Sequence, residues 1–450
     1  MAATQQVAPA GRQPAPAPGR NLQNWLLIGG LVAFGAALAW FFYSVLSQPG
    51  WGLQPVDMGV YREAGLVVRH VRPVYHPHLA SPLYDRLLYN GEPFDYPPFA
   101  ALPFALMSYL PLRALAKLAA LADIIALVWA IWVTFGALGY RRWAGRLGLT
   151  LIVAAAVFFT EPVQRTMYLG QVEIVLMALV MWDMCQPDDR WWKGAGVGIA
   201  AGIKLLPLLF IPYLLLMRRF RQAAVAAGAF AATLIVGFIV LPRDSEQWLV
   251  HGLFLKANDH IDLHWSGNQS LMGILLRSVG PQVHAEWLAI SAVVIILGTA
   301  GAVLLDRAGY RVAAVLMIAL ITLLVSPLSW DDHWVWMAVA VPVLIHQGLR
   351  ARGAPRWAWL GLAAAFTAVF AAWPDTRSSG LSGILYLPPQ RYRPQGGPWP
   401  EVGWHGGQLI AGNAWVFTGL LAFVALLLVG VRQFRRGSAQ VATGPAEEAA

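Results

Sequence analysis

Asp57 stands about a dozen residues beyond the first long apolar run of the chain, in Pro55-Val56-Asp57-Met58-Gly59-Val60-Tyr61. A carboxylate there is either a solvated loop charge or the base of an active site, and its company decides which. Lys204 lies alone in the apolar stretch Gly202-Ile203-Lys204-Leu205-Leu206-Pro207. An ionisable group at an apolar helix end costs a few kcal/mol unless it snorkels or meets an anion, so it is functional by default. His333 closes Ser326-Pro327-Leu328-Ser329-Trp330-Asp331-Asp332-His333. Hydroxyl and amide donors recur between these points, in Phe94-Asp95-Tyr96-Pro97-Pro98, in Glu161 to Arg165, in Gly170-Gln171 and in Asn268-Gln269-Ser270. A carboxylate base, a buried cation and several such donors form a kit for sugar chemistry on a lipid-borne phosphate.

Each motif also has a plain reading. Tyr96-Pro97-Pro98 is first a helix-start signal. Asn268-Gln269-Ser270 matches a glycosylation sequon. Asp331-Asp332-His333 has metal-ligand chemistry, but adjacent residues cannot all face one ion, and no second cluster has metal spacing. No metal site or other cofactor is therefore expected, a divalent ion being left open.

The elements that must position these residues are membrane helices. The chain is 58% hydrophobic and 12% charged, with 21 Trp and a single Cys, Cys185. A soluble protein carries roughly 25% charged residues. Long apolar runs recur throughout, without the period-two alternation of a β-barrel, so the class is an all-α polytopic membrane protein. One cysteine allows no intrachain disulfide. The net charge of +9 resides in short clusters between apolar runs, which fits membrane topology better than a nucleic-acid partner.

Apolar segments at about 25–46, 115–138, 147–160, 172–186, 194–206, 207–217, 222–241, 285–305, 312–326, 334–347, 357–373 and 409–431 give about twelve spans. The first reads as an uncleaved signal anchor. Basic connections at 140–142, 190–193, 218–221, 306–311, 350–356 and 432–436 all fall on one side if both termini are cytoplasmic. Residues 1–20 and 437–450 read as disordered cytoplasmic tails around a membrane domain over 21–436. Segments 47–114, 242–284 and 374–408 are then long outer loops bearing interfacial helices. One is an amphipathic helix over 57–71 lying on the membrane, another an interfacial or re-entrant helix over 97–111. Nine of the ten histidines reach the outer side, His346 being the exception. Asp57, Asp95, Glu161, Gln171, Lys204, Asn268 and His333 converge there as well.

Taken in order, these motifs resemble the polyprenyl-phosphate-mannose-dependent α-mannosyltransferases of actinobacteria, glycosyltransferase family 87, over most of residues 50–415. The resemblance departs at Glu173, where Asn is expected after Gly170-Gln171. It implies a GT-C membrane fold in the plasma membrane and inverting transfer of mannose from polyprenyl-phosphomannose. The acceptor would be a mannosylated glycolipid, a phosphatidylinositol mannoside or lipoglycan, and the product an α-1,2 linkage made on the periplasmic face. Asp57 matches the family's catalytic carboxylate and would be the general base. A phosphodiester leaving group needs no strong acid, so one carboxylate suffices, unlike the pair in glycoside hydrolases. Lys204, His333 and Arg62 would meet the donor phosphate. Tyr61, Asp95, Tyr96, Glu161, Gln171, Asn268, Gln269, Trp330 and Asp332 would bind sugar or acceptor, although outer Trp residues also form interfacial belts.

Three other readings stand beside this one. A related GT-C enzyme, such as an arabinofuranosyltransferase, would keep the role of Asp57 and change the sugar. A lipid-linked glycan transporter would show midplane ionisable residues and an internal repeat; no repeat is visible. A membrane scaffold would not need outer loops rich in His, Asp and Arg.

Overall fold

The computed structural model describes residues 19–47, 53–69, 81–85, 87–256, 261, 263–374, 381–383, 401 and 404–442. In chain order, α1 (Arg20–Ser47) is followed by α2 (Val56–Val68), α3 (Ala101–Met107), α4 (Leu112–Ala137) and α5 (Trp143–Phe158). A bent pair, α6 (Glu161–Leu169) and α7 (Glu173–Met184), leads to α8 (Ala195–Ile203), α9 (Phe210–Leu216) and α10 (Phe220–Val240). The short α11 (Pro242–Ser245) and α12 (Leu253–Lys256) precede α13 (Leu271–Ser278), α14 (His284–Arg307) and α15 (Arg311–Val325). The chain continues through α16 (Met337–Arg350), α17 (Ala354–Val369), α18 (Gly407–Gly412) and α19 (Ala414–Ala442). Two three-residue strands, β1 (Ala372–Pro374) and β2 (Leu381–Gly383), pair antiparallel and are a small departure from an all-helical chain.

Every apolar segment read from the sequence overlaps one or two of these helices. Five of them, α1, α4, α10, α14 and α19, are long and apolar enough to cross a membrane. The α6–α7 pair, bent by 116°, makes a sixth if it counts as one span. Helix length and composition therefore establish a membrane protein but not a count of twelve crossings. At the C-terminus α19 runs on to Ala442, through the start of the tail expected to be disordered. The remainder of that tail and residues 1–18 lie outside the described residues.

The 57–71 segment is where the structure corrects the sequence reading most. Rather than lying on the membrane, α2 is wrapped by protein: Met58, Gly59, Val60, Tyr61, Glu63, Ala64, Gly65, Leu66 and Val67 are all buried. Its apolar positions join Leu83, Phe94, Ala100, Ala101, Phe104 and Leu115 in a small core of their own. The 97–111 segment forms a 3-10 turn at Pro98–Ala100 and then α3, which presses on α2. Gly65 permits the contact, because a Cβ there would come 2.2 Å from the Phe104 carbonyl oxygen. Tyr61 stacks on the Phe104 ring at 4.3 Å between centroids.

Three elements run between two polar ends of the bundle. α15 is buried from Val312 to Leu324, as expected of a helix apolar all round. At its start Arg311 is 2.6 Å from Asp188, which also holds Lys193 at 2.7 Å. Arg219 meets Asp306 at 2.5 Å, so the basic connections at 190–193, 218–221 and 306–311 gather at one end. There Asp183, near the end of α7, accepts the Gly194 and Val197 amides at the start of α8. The other ends of α7, α8 and α15 lead to Glu173, Lys204 and Ser326, which border the cavity described next.

Candidate active site

A cavity of about 390 Å³ opens where α2, the α6–α7 bend, the end of α8 and the turn before α16 meet. Its polar lining includes Asp57, Tyr61, Asp95, Tyr96, Arg165, Gln171, Lys204, Asp331, Asp332 and His333, with Trp265 and Trp330 as aromatic walls. The α6–α7 bend begins at Gly170, whose φ of 74° is left-handed and favours glycine. A Cβ on Gly170 would also lie 2.6 Å from Cβ of Met58. The bend can thus sit directly against the first turn of α2, beside Asp57.

That contact builds a hydroxyl triangle. The Tyr61 hydroxyl donates to Oε1 of Gln171 at 2.5 Å and lies 2.7 Å from the Tyr96 hydroxyl. Tyr96 also donates to Gln171 Oε1, at 3.0 Å. Asp57 occupies the first turn of α2 and lines the cavity beside them. Burial raises its carboxyl to about 7, with Glu173 pushing the same way and Lys204 and Arg165 opposing. Such a carboxyl is poised to exchange a proton near neutral pH.

Lys204 follows the last residue of α8 in extended backbone. Its ammonium donates to Oε1 of Glu173 and lies 2.9 Å from Nε2 of His333. Burial and Lys204 together press His333 well below the usual imidazole range. The ring is then neutral, with Nε2 accepting from the ammonium and the proton on Nδ1. That Nδ1 is buried and has no hydrogen-bond partner among the described residues. Asp332 stands next to it; burial first, then Glu173, lifts its carboxyl well above the usual range.

Oxygens of Glu173 and Asp332 and a nitrogen of His333 lie within 4.8 Å of one another, a spacing that suits a cation. Glu173 joins Asp332 and His333 from α7, a grouping made in space rather than by spacing along the chain. The cation standing against Glu173 and His333 is the Lys204 ammonium itself, a reason to read the cluster as an ammonium site rather than a metal centre.

Several expected site residues are placed elsewhere. Arg62 donates from Nε to the Leu110 carbonyl at 2.9 Å and pairs with Glu63, away from the cavity. Asn268 spends its amide on the carbonyls of Leu263 and Pro327 and on the amide of Ser329. Gln269 donates to the carbonyls of Ser266 and Gly412. Both are fully buried and tie the 263–270 loop to the 326–330 turn. They hold Trp265 and Trp330, 5.0 Å apart between ring centroids, at the cavity wall. Glu161 is buried behind the wall, both oxygens without a hydrogen-bond partner among the described residues, with Asp331 and Arg165 as charged neighbours.

Three polar residues were missed as site members. Glu173 stands out in the sequence only as a departure from the expected Asn. Arg165, one helical turn beyond Glu161, lines the cavity with Nε 3.8 Å from Asp331; an Arg in a short polar helix between apolar runs was the available signal. Arg277 is fully buried and donates to the carbonyls of His264, Trp265 and Asn268 and to Asn413. Nothing in its local sequence points to those partners.

The comparisons with known proteins bear on this geometry. The family model for glycosyltransferase family 87 matches residues 94–327. The chain belongs to that family. The matched stretch holds Tyr96, Gln171, Glu173 and Lys204, while Asp57 and His333 lie outside it. A Mycobacterium tuberculosis polyprenol-phosphate-mannose-dependent alpha-(1-2)-phosphatidylinositol pentamannoside mannosyltransferase is 31% identical over 80% of this chain and 81% of its own. A phosphatidylinositol mannoside mannosyltransferase of the same dependence and linkage, also from Mycobacterium tuberculosis, is 31% identical over 73% of this chain and 77% of its own. A Mycolicibacterium smegmatis pentamannoside mannosyltransferase is 32% identical over 60% of this chain and 66% of its own. No solved structure matches. For a family 87 enzyme, a cavity that joins a near-neutral carboxyl to a buried ammonium is a coherent transfer site.

Proposed function

We propose that this protein is an inverting membrane glycosyltransferase that moves mannose from polyprenyl-phosphomannose to a mannosylated glycolipid, a phosphatidylinositol mannoside or lipoglycan. The product is an α-1,2 linkage, formed on the periplasmic face of a plasma-membrane protein of about twelve spans with cytoplasmic termini. The observation that carries the reading is that Asp57 and the Lys204–His333 pair line one cavity from different elements. The names of the relatives support the sugar, the donor and the glycolipid acceptor.

In this reading the donor phosphodiester rests on Lys204, and the mannose projects toward Asp57. The acceptor hydroxyl attacks the anomeric carbon from the face opposite the phosphate, giving up its proton to Asp57 as the glycosyl–phosphate bond breaks. Lys204 and the adjacent imidazole stabilise the charge that collects on the departing phosphate. Tyr61, Tyr96 and Gln171, locked in their triangle, orient sugar hydroxyls without having to be ordered first. The Trp265 and Trp330 rings offer a stacking wall. A narrow apolar cleft, lined by Leu176, Met177, Val180, Phe210, Leu323 and Trp336, shares Lys204 and His333 with the cavity. It supports a donor with its charge at that junction and its hydrocarbon beyond it.

The test is a membrane assay with synthetic polyprenyl-phosphomannose and a panel of mannosylated lipid acceptors. Asp57→Asn is expected to lower kcat by about 10²-fold or more while donor KM changes little. An Asn variant that folds and transfers mannose at a near-normal rate would overturn the assignment of the base.

A further inference from the structure

Glu173 has no part in the transfer as written above, yet it holds the cation on which that transfer depends. Its Oε1 accepts from the Lys204 ammonium and lies 3.5 Å from Nε2 of His333. Its Oε2 is buried with no hydrogen-bond partner among the described residues, and so is Oδ2 of Asp332. An oxygen of each carboxyl lies within 4.8 Å of the other. Two carboxyl groups are therefore set close together, out of water, beside one ammonium.

We propose that Glu173 is a built-in counter-anion that the donor phosphodiester displaces from Lys204, and that the Glu173–Asp332 pair takes up one proton from water as the donor binds. This rests on Lys204 being the donor-phosphate site. A buried ammonium left bare is costly, and Glu173 neutralises it while the site waits. An arriving phosphodiester adds a negative charge beside the Glu173 carboxylate and the Asp332 carboxyl. Like charges that cannot separate in a buried site resolve the conflict by protonation, so one carboxylate becomes a carboxylic acid. The balance is simple: one phosphodiester enters, and one proton passes from the buffered solvent to a carboxylate oxygen, forming an O–H bond there and changing no other covalent bond.

Titratable groups face this pair from every neighbouring element, Asp331 in the same 3-10 turn as Asp332 and Tyr61 on α2 among them. Asp57 comes from α2, Tyr96 from the loop before α3 and Asp123 from α4, where its buried carboxyl faces the start of α7. Arg165 comes from α6, and Lys204 and His333 touch Glu173 directly. Lys204 and Arg165 are the cations of this set. With both already facing carboxylates, an extra anion leaves a negative surplus that a proton removes.

Calorimetric titration of the full chain with synthetic polyprenyl-phosphomannose, in buffers of different ionisation enthalpy near pH 8, counts protons taken up on binding. The wild type is expected to take up about one proton, with affinity falling by up to about tenfold per pH unit as the pH is raised. Glu173→Gln is expected to bind about tenfold tighter there and with uptake near zero, while Glu173→Asp restores the proton. No uptake by the wild type, or the same uptake in Glu173→Gln, would overturn the proposal. The wild-type count decides even if the Gln variant does not fold. Failure of the underlying reading is separately visible, because Lys204→Met would then bind the donor as the wild type does.

Discussion

Nζ of Lys204 lies 2.9 Å from Nε2 of His333, across 129 residues of chain. The lysine ends a helix that starts at the gathered basic connections, and the histidine is the third residue of the 3-10 turn Asp331–Trp336 that follows α15. A cation that reads as an isolated charge in the sequence is thus held by an imidazole on one side and by Glu173 on another.

Removing that charge should damage both fold and function. Lys204→Met leaves Glu173 and Asp332 without their cation, and breaking a buried pair costs roughly 3–5 kcal/mol. A lowered Tm in detergent is expected, together with a donor KM raised at least tenfold. The double variant Lys204→Met/Glu173→Gln should regain most of the Tm and none of the donor affinity. Thermal melts and donor titrations on the three proteins check this.

The pH dependence of transfer follows from Asp57. A base acts in its deprotonated form, and burial has moved this carboxyl up to about 7. At saturating donor, kcat/KM for the acceptor should rise with pH up to about 7 and level off above it; an ordinary carboxylate would give a limb near about 4. A donor phosphate beside the site can only move the limb upward. A rate flat down to about pH 5 would remove Asp57 as the base.

Gly170→Ala tests the bend. The left-handed φ and the 2.6 Å approach to Met58 act together. The expected loss is about 1–3 kcal/mol in stability. Because relief of the clash pushes the first turn of α2 away, kcat should fall more than donor KM rises. Steady-state kinetics on the purified variant separates the two.

Arg277→Lys tests the support of the aromatic wall. The guanidinium reaches three carbonyls and the Asn413 oxygen in a planar fork that an ammonium cannot copy. Even this conservative change should lower Tm and slow transfer several-fold, with the loss mainly in acceptor KM. Tryptophan fluorescence should report the loosening of Trp265 against Trp330.

Much of this site was legible in the sequence for a physical reason. Polar residues in a membrane chain are costly, so those that persist mark function. Asp57, Tyr61, Asp95, Tyr96, Gln171, Lys204, Trp330, Asp332 and His333 all line the cavity. The helical segments were equally visible, because a long apolar run has few other solutions in lipid. What was hidden depends on partners far apart in the chain. Asn268 and Gln269 have the chemistry to bind sugar, yet their amides are taken by backbone groups up to 143 residues away. Arg62 sits five residues from Asp57, and helical geometry sends it to the Leu110 carbonyl. Glu173 gains its meaning from Lys204, and the 116° bend that aims it is marked only by a glycine.

The burial of α2 has a consequence for how this enzyme meets its surroundings. A base carried on an interfacial helix would ride on the lipid headgroups, and its aim would drift with bilayer thickness and fluidity. Here the helix that carries Asp57 is mounted on α3 and the α6–α7 bend. Under the proposed mechanism, the aim of that carboxylate is then set by protein packing rather than by the lipid headgroups.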